Sequence, residues 1–511
     1  MSRPDRATEL LVYAATAAGV TTAVAAARRG VQVLVLEPGS HVGGMVSGGL
    51  GYTDIGEDRR VIGGMVAEFA QAIADHYGVP VNRYAGPEPH VAEAIFRRWL
   101  TDAGVDVEFA APLTGVESSD GQISAVTAGE GRYAAGVFVD ASYEGDLLAM
   151  AGVPYAVGRE GHDSYGESIA GRAEVYPGRH QFPPFVSPYR NGTVELAPFI
   201  REHSLVRCGD GDGGVMAYGY RVCLTRDRGR LPFEPSARYD PADWDLARNW
   251  FDVLRRGGAE LRAEHVISLV PNLPAGKVDG NSSGPLSLNL LDGTNWDYPD
   301  ADPVRREEIR RHHLDYTRDF LHFMTNDPDV PVGVRKGLSE WGLPADEFTD
   351  TGGLPHQLYV REARRMTGEY VLTQHDLLPA PVPQYDAIAM GSYHIDIREV
   401  QRVCITVHEY PHAIPEVVNE GYLSVGVLPY QIPYRAITPR YRDCTNLLVP
   451  VCLSASRVAF ASVRMEPQYE MLGHAAGTAA ALALRRDTPV QRIDVDELQR
   501  HLTDDGQVLA V

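Results

Sequence analysis

Three separated stretches of this sequence carry side chains that could act on a bound small molecule. Tyr393 and His394, in MGSYHID, offer a hydroxyl and an imidazole. Imidazole is the side chain whose ordinary titration range spans neutral pH, so His394 is the candidate to give or take a proton. Arg361, Arg364 and Arg365, in YVREARRMTG, offer guanidinium forks that could hold a carboxylate or phosphate. Read as a helix, this stretch puts Arg361 and Arg365 on one face, where like charges repel mildly and Glu362 offsets part of the cost. A solvated helix face is the alternative for those arginines. Arg457 keeps its proton and cannot be a base, so its expected work is to bind a carbonyl, carboxylate or phosphate. His90, in GPEPHVAE, is a further proton-carrying candidate, and each histidine has a purely structural alternative.

The elements that must position these groups begin near the N-terminus. Leu10–Tyr13 is a short apolar run, Ala14–Gly19 a turn of small residues, Gly19–Gly30 an Ala-rich helical stretch, and Val31–Leu36 a second apolar run ended by Glu37. This is the layout of a dinucleotide-binding βαβ unit. Small residues let the backbone approach a pyrophosphate, whose charge then rests on the helix N-terminus. Glu37 lies 18 residues after Gly19, close to the spacing at which an acid accepts hydrogen bonds from a ribose. The turn departs from G-x-G-x-x-G at Ala14 and Thr16, so a βαβ unit with no ligand is the alternative. Two glycine pairs follow the acid, Gly43–Gly44 and Gly48–Gly49, where a second phosphate-hugging loop would lie.

Further on, residues 93–104 show helical periodicity. Three strand-like runs end at Gly136–Ala141. From about 156 to 400 the texture turns rich in Gly, Pro and Asn, with helical stretches at Pro241–Arg256 and Pro303–Met324. Met465–Leu484 reads as a helix with small residues at Gly473, Ala475, Ala476, Gly477, Ala479 and Ala480. A helix N-terminus carries about half a positive charge, which can stabilise an anion placed before it. Close helix packing is the other use of such a stripe.

Several chemistries are disfavoured. His408–His412 reads HEYPH and formally matches a zinc motif, but Pro411 keeps both histidines from sharing a helix face. GDGDGG (209–214) lacks the spacing and terminal acid of a calcium loop. No metal is therefore expected. Five scattered cysteines with no C-x-x-C pair fit neither a disulfide framework nor a dithiol relay. A formal net charge of −21 argues against nucleic acid or an anionic membrane as partner. The polar start of the chain shows no secretory signal, so the expected compartment is the cytoplasm.

Five segments together resemble the FAD-dependent oxidoreductase family, related in fold to the flavoprotein subunits of succinate dehydrogenase and fumarate reductase. They are GGMVSGGLGYTD (43–54), DASYEGDLLAMAGVPYAVGRE (140–160), QLYVREARRMTGEYVLTQ (357–374), PYQIPYRAITP (429–439) and NLLVPVCLSASRVAFASVRMEPQYEMLGHAAGTAAALA (446–483). The family has Gly where Ala14 stands and often His where Arg457 stands. The resemblance implies an α/β fold: a Rossmann-like FAD-binding domain of the glutathione reductase/fumarate reductase type with an inserted substrate domain. The expected limits are 8–155 and 401–485 for the two parts of the FAD domain, 156–400 for the insertion and 486–511 for a tail.

It also implies FAD as cofactor, held by Ala15, Thr16, Ala17, Ala18 and Gly19 of the turn and by Glu37 and Pro38. Gly43, Gly44, Met45 and Gly48 of the glycine pairs, Leu113, Ala141, Asp146, Gly473 and Gly477 complete the expected cofactor contacts. Arg361, Tyr393, His394 and Arg457 are then the expected catalytic groups. The implied reaction is two-electron transfer between a small polar substrate and flavin N5, as a dehydrogenase or oxidase. A flavin-dependent monooxygenase, and a non-redox or lyase protein with structural FAD, are the competing classes. One dinucleotide fingerprint gives no dedicated NAD(P)H domain, leaving oxygen, a quinone or a partner protein as acceptor.

Overall fold

Apolar runs without a polar face suit strands that are covered on both sides. In the computed structural model, which describes residues 6–511 other than 52, 84, 177, 203–204, 271–272 and 408–413, β1 spans Arg6–Tyr13 and β2 spans Val33–Leu36. They pair in parallel with Val12 opposite Val35, and Leu10–Tyr13 and all of β2 are buried. Helix α1, Ala17–Ala27, connects them. It starts two residues earlier than the sequence indicated because Thr16 caps it, its hydroxyl accepting from Gly19 N–H at 3.2 Å. It ends three residues earlier, at a turn where Gly30 takes φ +84°.

The sheet continues through β3 (Asp106–Glu108), β4 (Leu113–Ser119), β5 (Gln122–Ala128) and β6 (Gly131–Asp140), in the spatial order β3-β2-β1-β6-β5-β4. Strands β3, β2, β1 and β6 are parallel, whereas β4 and β5 fold back antiparallel. One edge of β6 is used twice. Gly131–Ala134 pairs with β5, and Phe138–Val139 pairs with a two-residue strand, Leu447–Leu448, from far along the chain. The chain leaves this sheet after Asp140 and returns at Leu447. Helices α2 (Gly64–Tyr77) and α3 (Pro89–Asp102) add to the helical layer.

The Glu466–Arg486 helix lies directly against α1. A Cβ at Gly473 would stand 2.3 Å from the Ala18 carbonyl oxygen, and one at Gly477 would stand 2.1 Å from that of Thr22. These two glycines, expected beside the cofactor, make the helix crossing. The small-residue stripe exists because two backbones meet along it.

Four hydrophobic clusters result among the described residues, two of them larger than the others. One joins β1, β2, α1–α3 and the Glu466–Arg486 helix to segments from 358 to 463. The other packs Trp244, Trp250, Tyr316, Phe320 and Phe323 with Leu224, Val278 and Leu338. Trp244 and Phe323 stack at 5.0 Å. The expected division at residue 400 crosses paired strands: Ala387–Gly391 pairs with Tyr430–Pro433, and Ile395–Ile397 with Leu423–Val425. Among the described residues no helix is long and apolar enough to cross a membrane.

Candidate functional site

The turn after β1 is built by replacing glycines with compensating bonds. Ala14 takes φ +71°, a left-handed conformation that a Cβ makes costly. It persists because Ala14 N–H donates to Leu36 O at 2.8 Å and Tyr13 O accepts from Ala141 N–H at 2.9 Å. Gly19 is required: a Cβ there would lie 2.0 Å from Ala14 O. The Thr16 hydroxyl donates to Ala141 O at 2.7 Å, so its side chain turns into the protein and away from the helix mouth. Thr16 caps only Gly19, and no acid lies in the first turn of α1. The first-turn amides of Ala17 and Ala18 are the donors a helix start leaves for a phosphate.

Glu37 closes the turn. Its carboxyl accepts from Ala15 N–H and Gly39 N–H, both at 2.7 Å, across Pro38. Burial pushes its pKa up to about 7, with those two amides and His41 working the other way. Ala15 O in turn accepts from Gly43 N–H at 2.7 Å, which brings the glycine pairs beside the turn. Gly43 and Gly44 both take positive φ and press on protein groups: a Cβ would meet Phe96 at 2.6 Å and the Tyr143 hydroxyl at 2.4 Å. Gly48 packs on Gln357 in the same way. Their smallness is explained by these contacts.

Tyr143 ties this loop to the Glu466–Arg486 helix. Its hydroxyl accepts from Met45 N–H at 2.9 Å and donates to Glu466 Oε1 at 2.7 Å. The helix start has Pro467 in its first turn and no side-chain cap. Three side chains there are almost wholly buried, and among the described residues Glu466 Oε2, Glu470 Oε2 and both polar atoms of Gln468 lack a hydrogen-bond partner. A buried polar atom left unpaired costs about 1–3 kcal/mol. A polar ring system placed at this end would satisfy such atoms, and the residues present fit one.

Beyond the helix start lies a cluster of buried charges. Arg464 donates to Asp396 O at 2.9 Å and to the Tyr359 hydroxyl at 3.4 Å. Arg221 forks onto Asp279. Arg361 lies over the Tyr359 ring, 4.3 Å from its centre, and among the described residues bonds only to neutral oxygens, Ala217 O and Asn289 Oδ1. Burial pulls the Arg361 pKa down to about 9, and the neighbouring Arg398, Arg464 and Arg221 push the same way. Asp54 sits beside Arg221, Asp396 and Arg464, and burial raises its pKa. Burial also raises that of Tyr393, with Asp396 and Asp54 adding to it. Tyr393 and His394 rings lie 4.2 Å apart, and His394 Nε2 is 3.9 Å from Asp396.

The structure therefore brings Arg361, Tyr393 and His394 to one region. It adds Asp54, Tyr359, Asp396 and Arg464, which the sequence reading did not single out as catalytic. Asp54 ends the GGLGYTD run, so a polar residue closing a glycine-rich buried loop was its available signal. Nothing local marked Tyr359 or Asp396.

The arginine stretch is not helical. Arg361–Arg364 is irregular and Arg365–Met366 forms a two-residue strand. Each guanidinium goes to a different partner: Arg364 to Asp146 and Asp300, Arg365 to Glu160, both buried. Asp146, expected on the cofactor, is forked by Arg306 and bonded by Arg364. Arg457, expected on substrate, opens the Arg457–Val463 helix with its Nε on Glu362 at 2.9 Å, leaving Nη2 buried and, among the described residues, unpaired. Leu113 starts β4, its amide 3.4 Å from the Tyr13 hydroxyl.

Glu88, His90, Asp346 and Glu347 lie close enough together to hold a cation, and a side chain supplies it. Lys277 Nζ stands 2.6 Å from Glu88 and 2.8 Å from each of Asp346 and Glu347. His90 Nδ1 meets Glu347 at 2.7 Å, which gives it a structural place. The HEYPH motif lies outside the described residues.

The capped helix, the small-residue turn and the acid after β2 define a dinucleotide-binding α/β protein. The sequence profile of the family described as FAD dependent oxidoreductase matches residues 9–502. The chain belongs to that family, and FAD is its cofactor. A comparison with curated protein sequences finds no match. Among solved structures, a geranylgeranyl bacteriochlorophyll reductase-like protein from Thermoplasma acidophilum is 11% identical over 99% of this chain and 85% of that one, with a TM-score of 0.37. L-amino acid deaminase from Proteus vulgaris is 16% identical over 31% of this chain and 54% of its own, with a TM-score of 0.23. L-proline dehydrogenase from P. horikoshii is 16% identical over 31% and 59%, with a TM-score of 0.24. This chain spans little more than half the length of the last two, and likeness at this level says nothing about the reaction.

Proposed function

We propose that the chain is a dehydrogenase or oxidase that oxidises a small polar substrate bearing an anionic group. In this reading the fold is of the glutathione reductase/fumarate reductase type, with the second core belonging to an inserted substrate domain, and the protein is cytoplasmic. Arg361 carries the proposal: a buried guanidinium whose hydrogen bonds go to neutral oxygens keeps its charge for an incoming anion. FAD, when bound, supplies the two-electron chemistry.

The protein's own groups do the rest. Ala17 and Ala18 amides receive the pyrophosphate, and Glu37 receives the ribose hydroxyls. Arg361 holds the substrate's carboxylate over the Tyr359 ring, and Asp396 holds Arg464 beside it. His394, one of the partly exposed members of the cluster, takes the substrate's proton at its imidazole, with Asp396 to steady the charge. Arg457, already matched by Glu362, positions the segment before the helix and does not touch substrate. The acceptor that reoxidises the protein is left open among oxygen, a quinone and a partner protein.

The test is an anaerobic screen of hydroxy acids, amino acids, alcohols, amines and sugars for bleaching of the bound flavin. A carboxylate should bleach it. Arg361→Ala should then weaken binding of that substrate roughly 10- to 150-fold, the worth of a charged hydrogen bond. His394→Ala should slow reduction by about 10²–10⁴-fold with FAD retained. Bleaching by neutral sugars or alcohols alone, with Arg361→Ala unchanged, would remove the anionic substrate from the proposal.

A further inference from the structure

Glu466 is the first residue of a 21-residue helix and 5% exposed. Its two oxygens live differently. Oε1 accepts from the Tyr143 hydroxyl, which itself accepts from Met45 N–H, so three bonded groups join the glycine loop to the helix start. Oε2 is buried, and among the described residues it has no partner. A carboxyl with one oxygen fixed and one free, at the start of this helix, is placed to bond whatever occupies the space before it.

We propose that Glu466 donates a hydrogen bond to the bound flavin as a neutral carboxylic acid, and that its proton is linked to flavin reduction. This rests on the proposed FAD-dependent reading and takes the flavin to be the polar ring system that the unpaired atoms at this helix start fit.

The electrostatics support a neutral acid. The positive end of a helix favours an anion. Burial opposes that and pushes the Glu466 pKa up to about 8, while the Tyr143 hydrogen bond works in the opposite direction. The other titratable groups around it are Tyr469 and Glu470, on the same helix. Burial raises both of their pKa values, and the nearness of Glu466 adds to each shift, so neither supplies a positive charge. Arg464, the nearest guanidinium in sequence, is bonded to Asp396 and Tyr359.

One helix end can serve one negative charge. Reduction of the flavin by two electrons with one proton leaves it anionic. A carboxylate at Glu466 would then face a like charge in a buried site, and relief comes by taking up a second proton, from solvent, onto the carboxyl. Below the acid's titration Glu466 is already protonated, and reduction takes up one proton per two electrons. Above it, reduction takes up two until the reduced form also loses the carboxyl proton.

The experiment is a dithionite titration of the FAD-loaded protein against reference dyes from pH 6 to 10, reading protons per two electrons from the slope of potential against pH. No substrate is needed. The wild type should move from one proton towards two as the pH passes about 8. Glu466→Gln should stay at one throughout. Tyr143→Phe removes the donor that favours the carboxylate, so its rise should begin at higher pH.

One proton throughout in the wild type, or an unchanged rise in Glu466→Gln, would overturn the inference. If Glu466→Gln fails to hold FAD, infrared difference spectra of the wild type at pH 9 decide. A protonated-carboxyl band should appear on reduction, and its absence overturns the inference. A chain that takes up no FAD would end the reading under Proposed function, whereas FAD bound without the second proton ends this inference alone.

Discussion

Glu37 spends both carboxyl oxygens on backbone amides of the turn, so it holds the turn as well as facing the ribose. Glu37→Ala should weaken FAD binding about 10- to 150-fold, from the loss of one charged hydrogen bond, as read by titrating apoprotein. Its pKa also makes a prediction without cofactor. A carboxyl raised from 4.5 to about 7 by folding lends stability that is full below pH 4.5 and is lost as pH rises through 7. Urea unfolding of the apoprotein should therefore show a steeper decline between those values for wild type than for Glu37→Gln. Ala14 gives the opposite kind of test. With φ +71° its methyl group is strained, by about 1–2 kcal/mol for an L-residue in this region. Ala14→Gly returns some of that gain as chain entropy, so the expected net is a stabilisation of about 0.5–1 kcal/mol. A loss of stability there would mean that the buried Ala14 methyl contributes packing that outweighs the strain.

At the scale of elements, the crossing of α1 with the Glu466–Arg486 helix governs how close the turn and the helix start can be. Gly473→Ala and Gly477→Ala place a methyl within 2.3 Å and 2.1 Å of opposing carbonyl oxygens. Each should destabilise by about 1–3 kcal/mol through forced separation of the helices, seen as a lower urea midpoint at unchanged slope. FAD affinity should fall with it. This crossing also shows where sequence reading works. The βαβ unit, α1 and the helix expected at 465–484 were legible because their apolar periodicity is local and their ends are marked by Thr16, Gly30 and Pro467. The arginine stretch was not. Its i,i+4 spacing mimics a helix, but Arg361, Arg364 and Arg365 are fastened to partners on residues 289, 146 and 160, distances no local pattern encodes. The same holds for the site: Ala15–Gly19 and Glu37 could be read from spacing, whereas Tyr359 and Asp396 became visible only when far segments met.

At the scale of the whole molecule, Lys277 ties the part of the chain that carries the second large core to the start of α3. Glu88 and His90 come from the start of α3, while Lys277, Asp346 and Glu347 come from the part of the chain that carries the second core. Burial works against both charges, but the three carboxylates raise the Lys277 pKa above its ordinary value, and Lys277, with a smaller push from His90, lowers that of Asp346, so both stay charged. That stability is present above the ordinary range of Asp346 and below that of the lysine, so it spans neutral pH and is lost as pH falls through the lowered Asp346 value or rises through the raised Lys277 value. Lys277→Met should cost about 3–5 kcal/mol, because three carboxylates are left facing one another. The loss should shrink on going from pH 8 to pH 5, where protonation relieves them; thermal unfolding at both values checks it. The sequence holds only two lysines, Lys277 and Lys336. The first has its amine locked among acids, and the second is exposed. Amine-directed reagents that attach dyes, surfaces or crosslinkers should thus find Lys336 as the one lysine open to them, so among side chains the attachment point is fixed.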